Sequence, residues 1–225
     1  MSFREDFIKR LISQFVHALH NLLGVIKKQD YEGAMEMVSQ IRLELLGLSS
    51  HLANSLSPSD LIQMLSPGDE PNPAKPLILA ELFKVEGDIY SAQGQENLSF
   101  KSYLTSLELL LEISQEIDET QIPEEFTGVE AIAELLDEYV LPSDTLVALF
   151  HFYESAGRYA LAEEALFDYI EDSPNPQEGL AAGLTFIERL REKTADELSA
   201  GELTLAEVNE MEARLIEIQD TFNNK

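Results

Sequence analysis

The side chains best suited to chemistry in this sequence are a few histidines and several adjacent pairs of acids. His17 and His20 are three residues apart and could share one helix face, but a zinc site would need further ligands from elsewhere. Adjacent acids could act as acid and base or hold calcium; the pairs are Glu124-Glu125, Asp137-Glu138 and Glu163-Glu164. Neighbours on a helix point about 100° apart, so such carboxylates do not converge on one atom. We interpret both groups as solvated polar faces.

The motifs that most often indicate catalysis or a bound cofactor are missing from the sequence. There is no cysteine, which removes thiolate nucleophiles, cysteine-based zinc sites and disulfides together. Neither an HExxH pattern, a glycine-rich phosphate loop nor a Gly-x-Ser-x-Gly elbow occurs. We therefore predict a non-catalytic protein with no metal and no cofactor. An enzyme with an unrecognised carboxylate site remains as an alternative.

Negative charge is abundant and unevenly distributed. The chain has 15 Lys and Arg against 42 Asp and Glu, a formal net charge of −27. Residues 1–47 carry six charges of each sign, and no Lys or Arg occurs between Lys101 and Arg158. An acidic surface repels nucleic-acid phosphates and anionic lipid headgroups, so we predict neither partner. The charge is expected mainly to keep the protein in solution; attraction of a basic partner segment and cation binding stay open as functional alternatives.

Apolar residues recur at helical spacing along most of the chain, and no stretch alternates with a period of two. We predict an all-α protein with helices at about 3–28, 31–47, 58–65, 76–93, 96–118, 128–140, 143–156, 159–172, 177–200 and 205–222. Capping boxes are predicted at Thr127 with Glu130 and at Thr204 with Glu207.

A proline-rich stretch, SPGDEPNPAKP from Ser66 to Pro76, predicts a break between domains. We expect an N-terminal helical hairpin with a short helix at 1–66, a linker at 67–76 and an acidic helical array at 77–225. No apolar run approaches the roughly 18 to 20 residues of a membrane span, so we predict a cytoplasmic location.

Small and aromatic residues recur in a pattern that indicates internal repeats. A small residue lets two antiparallel helices approach closely, and a large one fills the space between successive hairpins. One unit contains Gly87, Tyr90, Gly94, Ser99 and Tyr103; a second contains Tyr153, Gly157, Ala162, Leu166 and Pro174; a weaker third contains Tyr31, Ala34 and Val38.

In these residues the chain resembles the tetratricopeptide-repeat (TPR) family. Its opening helix followed by KKQDYEGAME is similar to a bacterial family of unknown function built on that repeat. The resemblance covers about half of the chain and implies antiparallel helical hairpins stacked as a right-handed TPR-like array. The units begin about 63 residues apart instead of about 34, so the array is expected to be irregular.

The resemblance also implies a binding groove on the inner face of the first helix of each hairpin. The corresponding residues here are Glu81, Lys84, Asp88, Asp144, Val147, His151 and Glu154. Since most of them are acidic, we expect an adaptor or scaffold that binds a basic or amphipathic protein segment. A second hypothesis is a self-associating protein that dimerises through Phe3, Phe7, Leu11, Phe15 and Leu22 of the N-terminal helix.

Overall fold

The computed structural model describes residues 3–66, 73–117, 122–172 and 176–223, and every regular element in these ranges is a helix. The all-α prediction is confirmed. The helices are α1 Phe3–Ile26, α2 Tyr31–Ile41 with a π-helical turn Arg42–Leu46, α3 Ser50–Ala53, α4 Pro58–Leu65, α5 Ala74–Ala92, α6 Glu96–Ser114, α7 Val129–Glu134, α8 Ser143–Ser155, α9 Tyr159–Asp172, α10 Pro176–Arg191, α11 Ala195–Ala200 and α12 Leu205–Asn223.

These helices form two compact units, Met1–Val140 (unit 1) and Leu141–Lys225 (unit 2). The division differs from the predicted boundary in the proline-rich stretch. Helices α1, α2 and α4 all pack against α5 or α6, so the elements on either side of that stretch belong to one unit. Residues 67–72 of the predicted linker lie outside the described ranges, while Ala74 to Pro76 already form the first turn of α5, where a proline needs no hydrogen-bond partner.

In unit 1 the first helix buries one apolar stripe. Leu11, Phe15, Leu19 and Leu22 recur at the spacing of one helix face, and all four are buried. The ring of Phe15 stacks on Phe126 with a centroid distance of 5.5 Å. This stripe attaches α1 to α2 and α5.

Helices α5 and α6 run antiparallel and approach closely at small residues. The Ser99 hydroxyl donates to the Gly87 carbonyl oxygen (3.0 Å), and the Ser106 hydroxyl donates to the Ala80 carbonyl oxygen (2.8 Å). The Tyr103 ring lies directly against Gly87. The small and large residues predicted at this crossing are therefore in contact.

A charged pair lies in the interior of unit 1. Arg42 is fully buried in the π-helical turn, and its Nη2 donates to Glu86 Oε1 of α5 at 2.6 Å. The guanidinium also lies 5.1 Å from the centre of the Phe83 ring. Burial raises the pKa of the Glu86 carboxyl group, and the positive charge of Arg42 opposes this shift.

In unit 2, α8 packs on α9, and α10 packs on both α9 and α12. Gly157 adopts φ of 72° in the turn between α8 and α9, a conformation that glycine adopts without strain. Phe150 of α8 meets Phe186 of α10 edge to face, with ring centres 5.2 Å apart. Both rings are buried, so α8, α9 and α10 share one apolar core.

The predicted helix at 128–140 is shorter in the structure, and its predicted capping box is wrong. Helix α7 ends at Glu134 and is followed by tight turns. Its N-cap is Gly128, with no side-chain hydrogen bond to the helix, and Thr127 instead donates through its backbone N–H and its hydroxyl to the carboxylate of Glu81. The carboxylate of Glu81 thus accepts the hydrogen bond from the Thr127 backbone N–H that was predicted for Glu130.

The predicted helix at 177–200 is two helices in the structure. Thr194 and Glu197 form a capping box that the sequence analysis missed, and it starts α11 after a break at residues 192–194. The N-cap conformation of Thr194 is extended, which interrupts the helix. The capping box predicted at Thr204 and Glu207 is confirmed by three hydrogen bonds.

Candidate functional site

A groove on unit 2 brings together three of the predicted site residues. Asp144, Val147 and His151 of α8 line a cavity of about 320 Å³ with five residues that the prediction did not include: Phe150, Leu166, Tyr169, Glu178 and Ala182. Phe150 and Leu166 are buried, whereas Asp144, His151 and Glu178 are exposed. The groove therefore has an apolar floor and a polar rim.

The walls of this groove are α8 and α10, which run parallel. Asp144 and Glu178, both in the first turns of their helices, line the same cavity. Glu154, near the end of α8, pairs with Arg189, near the end of α10. Early residues of α8 thus lie beside early residues of α10, and late residues beside late ones, so the two helices are parallel. The lining of the groove is completed by two residues of α9, Leu166 and Tyr169.

Helical periodicity explains why these side chains face one way. Asp144, Val147, His151 and Glu154 follow a spacing of three, four and three residues, which places them on one face of α8. Glu178, Ala182 and Arg189 follow the same rule on α10. The sequence signal for the second wall was this periodicity, but only the packing of α10 beside α8 shows that the two faces meet.

Glu154 is held by a bidentate ion pair. Arg189 donates from Nε to Oε1 of Glu154 and from Nη2 to Oε2, the latter at 2.8 Å. These hydrogen bonds raise the pKa of the Arg189 guanidinium. Glu154 is one-fifth exposed, and both of its carboxylate oxygens are engaged. Its charge is thus neutralised within the chain.

The predicted site residues of unit 1 have different environments. Lys84 and Asp88 form an ion pair along α5 (2.8 Å), and Asp88 also accepts a hydrogen bond from the Tyr103 hydroxyl (2.9 Å). Glu81 was expected on an open face, but it is buried, with both carboxylate oxygens accepting hydrogen bonds from Thr127. The structure therefore gives Glu81 an interior position.

The N-terminal face proposed for dimerisation is largely used inside unit 1. Leu11, Phe15 and Leu22 are buried by the chain itself, whereas Phe7 is 44% exposed. The side chain of Phe3 lies outside the described residues. Leu11, Phe15 and Leu22 are therefore not available for a contact with a second chain unless unit 1 opens.

The histidines and acid pairs do not form a metal-binding group within the described ranges. His17 and His20 are both exposed on α1, and no three His, Asp or Glu side chains gather there in an arrangement that could hold an ion. Glu163 is half-buried while its neighbour Glu164 is exposed, as the helical rotation between adjacent residues requires.

Glu163 and Glu164 line a second cavity of unit 2, of about 300 Å³, on α9. Burial raises the pKa of the Glu163 carboxyl group, the charges of Glu207 and Glu210 add to this shift, and Arg214 opposes it. Arg214 lies 3.8 Å from the centre of the Phe167 ring and pairs with Glu171. This cavity is thus already occupied in part by a cation of the same chain.

Comparison with protein-family models identifies the family to which the chain belongs. Residues 2–219 match DUF6483, described as a family of unknown function. No curated protein and no solved structure matches the chain. Within the described ranges, no helix combines the length and apolar character that crossing a bilayer would need.

Proposed function

We propose that this chain, which belongs to the DUF6483 family of unknown function, has a non-catalytic role as an adaptor or scaffold. Its groove on unit 2 binds a basic or amphipathic segment of another protein. The observation that carries the proposal is the cavity in which Asp144 and Glu178 stand over an apolar floor.

The chemistry of the groove matches such a segment. Buried rings and aliphatic side chains at the floor favour burial of an apolar side chain, because its transfer out of water is worth about 25 cal/mol per Å². The exposed carboxylates of Asp144 and Glu178 attract lysine or arginine side chains beside that anchor. A segment that is only basic or only apolar would use half of these contacts.

The surrounding charge favours the same kind of partner. Residues 141–225 contain 18 acidic and six basic residues. Of the basic ones, Arg189, Arg191 and Arg214 are already engaged in ion pairs with acids of unit 2. The remaining excess of negative charge speeds the encounter with a cationic segment.

We also infer that unit 2 is TPR-like. The contacting residues Glu154 and Arg189 of the parallel helices α8 and α10 are 35 residues apart, close to the repeat length of about 34. Helix α9 returns between them. This spacing supports a hairpin followed by the first helix of the next repeat.

The proposed location is the cytoplasm, supported by the complete absence of cysteine from the sequence. The alternative of self-association loses support, because three of the five residues proposed for the dimer face are buried within unit 1. An enzyme with an unrecognised carboxylate site stays an alternative without a specific observation in its favour.

Binding of a synthetic peptide tests the proposal. The probe is a fluorescein-labelled peptide with adjacent leucine and phenylalanine among four lysines, measured by fluorescence anisotropy with the full chain. The test variant carries Asp144→Asn and Glu178→Gln, which remove two rim charges and keep the shapes. The matched control carries Glu192→Gln and Glu217→Gln, two exposed acids of unit 2 that do not line the groove.

We expect the wild-type protein and the control to bind the peptide, and the groove variant to bind it several-fold more weakly. Raising the salt from about 50 mM to about 500 mM should weaken wild-type binding, because exposed charges are screened. Absence of binding by the wild-type protein, or equal binding by the groove variant, contradicts the proposal.

A further inference from the structure

We infer that Arg189 makes this groove one-sided, so that it selects segments whose basic residues lie on one side of their apolar anchor. The inference rests on the proposed function and specifies the class of partner.

The groove runs along one face of α8 from Asp144, at its first end, to His151. The ion pair of Glu154 with Arg189 lies one turn beyond this second end. Asp144 lies in the first turn of α8, and Glu154 lies in the last turn, ten residues later. At 1.5 Å per residue, the two carboxylates are separated by about 15 Å along the helix axis. Val147 and His151 lie between them, above the floor formed by Phe150.

The first end carries uncompensated negative charge. Asp144 and Glu178 are both exposed and line the same cavity, one from each wall. Two carboxylates on opposite walls can accept two cations from a bound segment. Both positive charges of such a segment therefore have counterions at this end.

At the second end, the acid of α8 is already paired. Arg189 covers Glu154 with two parallel hydrogen bonds, a geometry that fixes both side chains as well as pairing their charges. A partner cation that approached Glu154 would also meet the guanidinium of Arg189. Glu154 is therefore not available to a bound segment, because it is paired with Arg189, 35 positions away.

Two peptides of identical composition test this arrangement. The one-sided peptide is Lys-Lys-Gly-Leu-Phe-Gly-Ser-Ser, and the two-sided peptide is Lys-Ser-Gly-Leu-Phe-Gly-Ser-Lys, each labelled with fluorescein and with both termini blocked. Since a peptide can enter the groove in either chain direction, the position of its lysines relative to the anchor is the variable tested. We expect the wild-type chain to bind the one-sided peptide about threefold more tightly.

Substitution of Arg189 tests its role directly. Arg189→Met frees Glu154 and should raise affinity for the two-sided peptide about threefold, because the second end then gains a counterion. Arg191→Met is the matched control: Arg191 is similarly exposed, but it pairs with Glu212 of α12 and not with an acid of α8. It makes the same change in net charge and should leave the ratio of the two affinities unchanged.

A second variant predicts the opposite change. Glu154→Gln leaves Arg189 without its counterion, so the two-sided peptide should bind about threefold more weakly while the one-sided peptide is unaffected. Circular dichroism and urea unfolding show whether each variant retains the helical fold. The two variants remove different partners of one pair, so either alone can decide the matter.

The results separate this inference from the proposal on which it rests. If the wild-type chain binds both peptides equally, or Arg189→Met gives no gain for the two-sided peptide, the one-sided groove is overturned while groove binding stands. If it binds neither peptide, both fail. A preference for the one-sided peptide that disappears in Arg189→Met supports the inference.

Discussion

The ring of Tyr103 lies so close to the backbone of Gly87 that a β-carbon at position 87 would overlap it. Helix α6 therefore meets α5 at a point where only glycine fits. Two hydrogen bonds join the helices as well, from Ser99 to Gly87 at this crossing and from Ser106 to Ala80 about two turns away.

Gly87→Ala should destabilise the protein by about 2 kcal/mol, because the added methyl group forces the helices apart. The loss should outweigh the gain of up to about 1 kcal/mol in helix propensity. Gly24→Ala is the control, since nothing lies within 4 Å of the corresponding β-carbon in α1. Urea unfolding should show the control unchanged or more stable; equal effects of both substitutions would contradict a steric origin.

Arg42→Met should destabilise unit 1 more at neutral than at acidic pH. Burial raises the pKa of Glu86 above its usual value of 4.5, and Arg42 opposes this, so the substitution raises it further. An acid with a raised pKa contributes stability that is present below its unfolded-state pKa and is lost as pH rises through the folded-state value.

We expect the deficit of Arg42→Met to reach about 3 kcal/mol near pH 7 and to shrink towards about pH 5, measured by urea unfolding. Lys28→Met removes an exposed positive charge of unit 1 and serves as the control. A deficit that stays constant over this pH range would argue against a buried, charged Glu86.

Tyr103 should hold its phenolic proton well above the pH at which exposed tyrosines ionise. Burial raises its pKa, and the charge of Asp88 and the hydrogen bond to it add to the effect. The protonated phenol therefore contributes stability below the ordinary tyrosine pKa of about 10, and this contribution is lost at higher pH.

Ultraviolet titration of the seven tyrosines should show a late step that Tyr103→Phe reduces, with Tyr90, whose pKa burial also raises, as a second contributor. Asp88→Asn should move this step to lower pH but not to the ordinary value, because burial remains. If Asp88→Asn left the late step in place, the contribution of the Asp88 charge would be refuted.

Thr194→Ala should destabilise unit 2 by about 1 kcal/mol, since its hydroxyl accepts a hydrogen bond from the Glu197 backbone N–H at the start of α11. Thr185 donates only to the carbonyl oxygen of Ala181 within α10, so Thr185→Ala should be nearly neutral. Thermal unfolding of both variants measures the difference, and a neutral Thr194→Ala would show that the cap contributes little.

Much of the helical organisation could be predicted from local sequence. The bounds of α4 and α9 and the Thr204 cap lie where the sequence places them, because each depends on residues within a few positions. One prediction was wrong because a distant partner intervened, whereas the missed break before α11 had a local signal in Thr194 and Glu197. The backbone N–H of Thr127, predicted to be accepted by Glu130, donates instead to Glu81, 46 residues away.

The candidate groove was predictable only in part. Periodicity placed Asp144, Val147 and His151 on one face of α8, but Glu178 and Tyr169 join them only because α10 and α9 pack there. The sequence by itself determined the all-α class, the excess of negative charge and the helix faces, since these follow from composition and local spacing. Tertiary structure alone decided which acids stay free: Glu81 is buried against Thr127 and Glu154 is neutralised by Arg189, because burial and charge pairing depend on residues brought together from far apart in the chain.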